Sequence, residues 1–160
     1  MTFTWRRPLV VAALAAGVAA PLAAQGTVKA WGLQTVAALA TPADYTAGLT
    51  GSIRPSARTR IALYAGGGST SDAAGVGRAE LVGHFLLNPR SLGTEFYAGG
   101  GLAGVFRSGA ADGYIVLLVG LETRPGGPGG LFVEAGLGGG ARVSAGYRWR
   151  KLPPGWRPTE

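Results

Sequence analysis

Cysteine is absent from the 160 residues and histidine occurs once. The first absence excludes a disulfide framework, a thiol nucleophile and Cys-ligated zinc. The second excludes a His-rich metal site. Charge is also sparse, at 14% against 47% hydrophobic residues, which excludes a long disordered chain. Beyond residue 25 no run of 18 apolar residues occurs, so a helical membrane span is excluded there. Glycine is what the chain has in excess: 29 residues, about 18% against a usual ~7%. They follow no G-X-Y period, so a collagen triple helix is excluded as well.

Residues 1–24 read as an export signal. Arg6 and Arg7 form a short positive region, Leu9 to Ala20 are apolar, and Leu22-Ala23-Ala24 before Gln25 offers small residues for cleavage. The apolar run is shorter than the ~20 residues a spanning helix requires. Removing it lowers the net charge from +7 to +5, since Arg6 and Arg7 are its charged groups. The remaining basic residues are scattered, with no basic run, so no nucleic-acid partner is expected.

After residue 25 a period of two dominates. The spacing predicts eight strands, over Val28–Leu39, Tyr45–Arg54, Thr59–Gly67, Arg78–Leu87, Glu95–Phe106, Tyr114–Arg124, Leu131–Gly139 and Arg142–Arg150. Breaker clusters separate them: Thr41 to Asp44, Pro55 to Arg58, Ser69 to Gly77, Asn88 to Ser91, Ser108 to Gly113, and Pro125 to Gly130. The last boundary, near Gly138-Gly139-Gly140, is the weakest. Connections this short make consecutive strands antiparallel neighbours, and one closed up-and-down meander is the economical topology.

The two faces of these strands differ in an unusual way. One is apolar and free of charge over whole strands. The other carries glycine and alanine beside Arg54, Arg60, Glu80, His84, Glu95, Glu122, Arg124, Glu134, Arg142 and Arg148. A solvated face would be rich in Lys, Glu, Thr and Ser instead. The pattern fits a narrow interior in which glycines make room and carboxylates pair with guanidinium groups. Arg78, Arg124, Arg142 and Arg148 are the expected partners of Glu80, Glu122 and Glu134. The apolar face then fits lipid. Its ends carry aromatics, as membrane–water interfaces favour: Trp31, Phe96, Tyr147 and Trp149 at one rim, Tyr45 and Phe106 at the other.

In these features the chain resembles the small, eight-stranded outer-membrane β-barrels of Gram-negative-type bacteria, over roughly residues 28–150. Arg142-Val-Ser144-Ala-Gly-Tyr147-Arg-Trp149 is similar to the terminal-strand signal that the barrel-assembly machinery of such bacteria reads. Two features depart from that pattern. Ser144 stands where glycine is usual, and Arg150–Glu160 follow where such barrels often stop. The resemblance implies an all-β closed transmembrane barrel over residues 25–150, exported to the outer membrane as a monomer. Outer-membrane lipids and the assembly machinery would be its partners. Residues 151–160 form a Pro-rich tail expected to extend no sheet and to be dispensable from Arg150 onward.

Chemistry-bearing candidates are few. His84 with Glu80 four residues earlier is a possible general base, and outer-membrane lipid deacylases of similar size make that pairing worth naming. Arg78–Asn88 supplies no Ser, Thr or Cys nucleophile, and Leu86 occupies the position where a serine would be needed. Paired glutamates suit a glycosidase only if one is protonated, and the surrounding arginines favour the ionised form. Gly66-Gly67-Gly68 and Gly99-Gly100-Gly101 lack the Lys-Ser/Thr and the helix of a phosphate loop. The expectation is therefore a structural or surface-exposed envelope protein without a pore, enzymatic activity, metal or cofactor. The alternatives are a soluble periplasmic lipocalin-like barrel binding a small apolar ligand and, behind it, a lipid-modifying enzyme.

Overall fold

The computed structural model describes residues 27–159, so the export signal read over 1–24 lies outside the described residues. Among the described residues eight strands follow one another without a helix: β1 Val28–Leu39, β2 Asp44–Arg54, β3 Thr59–Thr70, β4 Gly75–Leu86, β5 Thr94–Arg107, β6 Ala110–Thr123, β7 Gly129–Leu137 and β8 Ala141–Lys151. Each pairs antiparallel with its neighbour, and β1 pairs with β8 to close the sheet into a barrel. Closure leaves no free sheet edge along the full height, although β6 runs past the end of β7 and its residues 110–116 pair only with β5.

Both ends of the barrel chain meet one rim, called here the terminal rim. It carries segments 55–58, 87–93 and 124–128, while 40–43, 71–74, 108–109 and 138–140 turn at the far rim. Several strands are longer than their alternation suggests. Ser69 and Thr70 extend β3, Gly75–Gly77 open β4, and Ala110–Gly113 open β6, so two expected breaker clusters shrink to 71–74 and 108–109. Glycine and alanine are poor strand formers in isolation, but a partner strand in register supplies the hydrogen bonds that propensity alone does not. The 138–140 hairpin is real, and Gly139 and Gly140 adopt φ of 78° and 119° there, a region side-chain-bearing residues avoid.

Alternation sends one set of side chains inward and the other outward. Outward go Trp31, Leu49, Phe96, Leu102 and Ile115, each more than 60% exposed. Inward go Arg60, Arg78, Arg142, Arg148 and Glu122, each at most 2% exposed. An apolar patch does exist inside, where Val82, Leu86, Tyr97, Ala103, Val116 and Leu118 pack along β4–β6. Large inward rings fit because glycine faces them. A Cβ on Gly120 would strike the Tyr97 ring, and one on Gly146 would strike Phe132.

The C-terminal segment corrects the expected boundary at residue 150, beyond which the tail is expected to extend no sheet. Arg150 and Lys151 belong to β8, and the tail then folds back across the terminal rim. Thr159 bridges Ser91, its N–H donating to the Arg90 carbonyl at 2.8 Å while its own carbonyl accepts from Leu92 N–H at 3.1 Å. Trp156 Nε1 donates to the Gly126 carbonyl at 2.9 Å, and the Arg90 guanidinium lies 5.3 Å from the Trp156 ring centre. Proline keeps the tail out of the barrel wall, but its other backbone groups still find partners on the rim loops.

Candidate functional site

The distinctive site is the barrel lumen. Among the described residues, six buried arginines (Arg54, Arg60, Arg78, Arg142, Arg148 and Arg150) share it with three buried glutamates, Glu80, Glu122 and Glu134. β-strand parity brings them together: Arg78, Glu80 and His84 alternate on β4, and Arg142, Ser144, Arg148 and Arg150 on β8.

Each carboxylate is a hub. Glu80 accepts from Arg78 Nε at 2.6 Å and from Arg142 Nη2 at 2.7 Å. Glu122 accepts from Arg60 Nη1 at 2.6 Å, from Arg148 Nη1 at 3.3 Å, and from Arg150 Nη2. Glu134 is the most connected. Arg142 Nη1 reaches it at 3.0 Å, Arg148 Nη2 at 3.3 Å, and the Tyr97 and Ser144 hydroxyls each donate to it at 2.8 Å. Arg142 and Arg148 each bridge two glutamates, so the three hubs form one connected network. A buried charge is tolerated only when paired and hydrogen-bonded, and shared guanidinium forks meet that condition with few carboxylates.

Part of the surplus of guanidinium groups goes to carbonyls and rings, while Arg60 Nε and Nη2, Arg78 Nη1, Arg148 Nε and Arg150 Nε make no hydrogen bond among the described residues. Arg54 donates to the Pro89 and Pro125 carbonyls at 3.0 Å each, and Arg150 Nη1 to those of Arg124 and Gly127 at 3.1 Å each. Both therefore tether terminal-rim loops to the wall. Arg78 Nη2 does the same at the far rim through the Gly138 carbonyl at 2.6 Å. Arg148 stacks on Phe132 at 3.5 Å and Arg60 on Tyr97 at 4.7 Å, both within cation–π range. At the far rim Arg107 pairs with buried Asp44 at 2.7 Å and with Asp112 at 3.0 Å.

Two residues of the expected network lie elsewhere. Glu95 faces inward by parity but sits half-exposed at the terminal rim, where Asn88 Nδ2 donates to it at 3.4 Å. Arg124 lies one residue past β6, exposed, with φ 51°, and forms no ion pair among the described residues. The turn conformation takes it off the strand, so its parity no longer applies. Arg150, read from sequence as the strand's end, is a full member. Its position two residues after Arg148 is the signal that marks it. Tyr97 and Ser144 are legible by the same parity, but hydroxyls carry no charge pattern to draw attention.

His84 Nε2 stands 3.6 Å from Glu134 Oε1, not beside Glu80, and its ring meets Tyr97 edge-on. Ser144 is hydrogen-bonded to that same glutamate, so the acid lies between hydroxyl and imidazole. Acyl transfer requires the imidazole in the middle. A cavity of about 10 Å³ lined by Gln34, Tyr64, His84, Glu134 and neighbouring network residues has room for about one water molecule.

Outside, the aromatics sit at the rims. Trp31 and Trp149, paired across the β1–β8 seam, stack with ring centres 4.4 Å apart, and Tyr147 packs on Trp149 at 4.8 Å. Phe96 is exposed at the terminal rim, and Tyr45 and Phe106 at the far rim. Tyr147 is only half-exposed, its hydroxyl reaching over Gly129.

No protein-family model matches the chain. Nor does any curated protein sequence. Solved structures do. The N-terminal β-barrel domain of OprF from Pseudomonas aeruginosa superposes with a TM-score of 0.57 at 15% identity, over 79% of this chain and 100% of that one. The de novo designed protein TMB2.3 gives a TM-score of 0.52 at 18% identity, over 80% of this chain and 96% of the design. The chain thus shares the closed eight-stranded antiparallel barrel fold of the OprF domain, with little of its sequence.

Proposed function

We propose that the protein is an integral outer-membrane barrel, monomeric, with a filled lumen and no solute pore, serving as a structural or surface-exposed component of the envelope. The observation that carries this reading is the inversion of the wall, with arginine and glutamate buried inside and leucine, isoleucine and aromatics exposed outside. In water an apolar belt of that extent would drive association, whereas lipid is its matched solvent. The fold likeness to the OprF barrel domain, an outer-membrane barrel, supports the same assignment. Residues 1–24 would direct export, and the terminal strand would present Arg142, Ser144, Tyr147 and Trp149 to the assembly machinery.

The closed-lumen part of this reading is supported by the connected ion network within the lumen and the arginine-tethered loops at both rims. A lipocalin-like role would need an apolar cavity of hundreds of Å³, which the charged interior does not favour. Catalysis is not part of the proposal, since the Ser144–Glu134–His84 order provides no activated nucleophile. Carbonate washing of membranes without detergent tests the reading directly. The protein stays in the pellet and shows a heat-modifiable band. Release into the supernatant would overturn the integral assignment, and swelling of proteoliposomes in small sugars would overturn the closed lumen.

A further inference from the structure

The geometry points to a binding site for an anionic phospholipid on the outer surface of the β1–β8 seam, at the terminal rim. It rests on the membrane-barrel reading above and goes further by naming the rim, the lipid class and the residues. Lys29 and Lys151 are both exposed and stand directly opposite one another across the seam. Like charges in that position destabilise a ladder, and among the described residues no carboxylate pairs with either lysine. A phosphodiester lying between the two ammonium groups would reverse the sign of that interaction.

The next outward pair along the seam is the Trp31–Trp149 stack, followed by Leu33 opposite Tyr147. Charge at the rim, then indole, then aliphatic surface is the order in which a phospholipid presents headgroup, glycerol and acyl chain. Beside Trp31 the neighbouring outward residue on β2 is Gly51, where a Cβ would meet nothing within 4 Å. One flank of the indole pair is therefore open, with Ile53 below it and Leu49 above as apolar walls.

Charge elsewhere agrees with the rim chosen. Arg58, Arg90, Arg124 and Arg157 are exposed at the terminal rim beside the half-exposed Glu95, whereas the far rim carries Asp44, Asp72 and Asp112 with Arg107. A zwitterionic headgroup offers two lysines no net attraction, so selectivity for net negative headgroups follows. Each basic residue near an anionic surface contributes roughly a fivefold local enrichment.

The test uses tryptophan fluorescence of the exported protein, without residues 1–24, in vesicles, with Trp156→Phe leaving Trp31 and Trp149 as reporters. Brominated phosphatidylglycerol at 10 mol% in phosphatidylcholine is compared with the same fraction of brominated phosphatidylcholine. The anionic quencher gives at least a severalfold stronger effect, weakening as salt rises. Lys29→Gln with Lys151→Gln abolishes the difference, and Lys29→Arg with Lys151→Arg retains it. Arg58→Gln with Arg157→Gln also retains it, which separates the seam from a general basic rim. Equal quenching by both lipids would overturn the site while leaving the membrane barrel standing, as would a preference surviving in the Lys→Gln pair. No quenching by either lipid would overturn the membrane reading as well.

Discussion

The inner and outer faces of this barrel are made by the same eight strands, yet they follow opposite rules. Inside, side chains as polar as Arg60, Arg148 and Glu122 are enclosed and cross-linked by shared ion pairs. Outside, Leu102 and Ile115 stand 64% and 71% exposed. The inside is stabilised by specific, directional contacts, so its tolerance for change is low. On the membrane reading proposed above, the outside relies on a matched solvent, so its tolerance depends on chemical type rather than shape. One wall thus holds a jigsaw and a coat.

The sharpest way to break that contrast is inside. Glu122→Ala leaves Arg60, Arg148 and Arg150 without their common carboxylate and is expected to cost about 3–5 kcal/mol in urea unfolding from vesicles. An unchanged unfolding midpoint would mean that the network contributes nothing to the fold. Outside, Leu117→Arg on the middle of β6 is expected to cost about 2–4 kcal/mol in the same assay, the penalty for a cation at bilayer mid-depth. Its isosteric partner, Leu117→Met, should stay near wild type.

Steric fit gives the next effect. Gly120→Ala drives a methyl group into the Tyr97 ring and should cost about 1–3 kcal/mol. In a Tyr97→Leu background the penalty should shrink, a coupling that a double-mutant cycle reads directly. At the terminal rim, truncation before Arg150 should be severe, because it removes a ligand of Glu122 and two loop tethers. Truncation after Leu152 keeps β8 and loses the Trp156 and Thr159 contacts, so about 1 kcal/mol is expected, read as faster proteolysis of the 87–93 loop. The smallest effect on equilibrium stability is expected from Tyr147→Ala with Trp149→Ala. There the heat-modifiable fraction after a pulse of synthesis should fall more than the unfolding midpoint.

Alternation makes the eight strands, and the side to which each residue points, legible in the residue order alone, because the Cβ direction reverses at every residue of an extended chain. The same alternation places Arg60, Glu80, Glu122, Glu134, Arg142 and Arg148 on one face and Trp31 and Trp149 on another. What parity cannot carry is where a strand stops. Arg124 departs from the network because β6 ends one residue before it, and Ser69 and Gly75 join strands because their neighbours are in register. The pairing of particular charges also needs closure, since Arg60 and Glu122 are 62 residues apart and lie on strands that do not touch in the sheet.

By itself the sequence determined a meander with a charged face, an apolar face and aromatic ends, since each depends on residue type and a fixed backbone repeat. Only the tertiary structure decided that Glu134 rather than Glu80 faces His84, that Arg150 pairs with Glu122, and that the tail caps the rim. Those outcomes depend on which strands curl to face one another across a narrow lumen, a distance that no local repeat encodes.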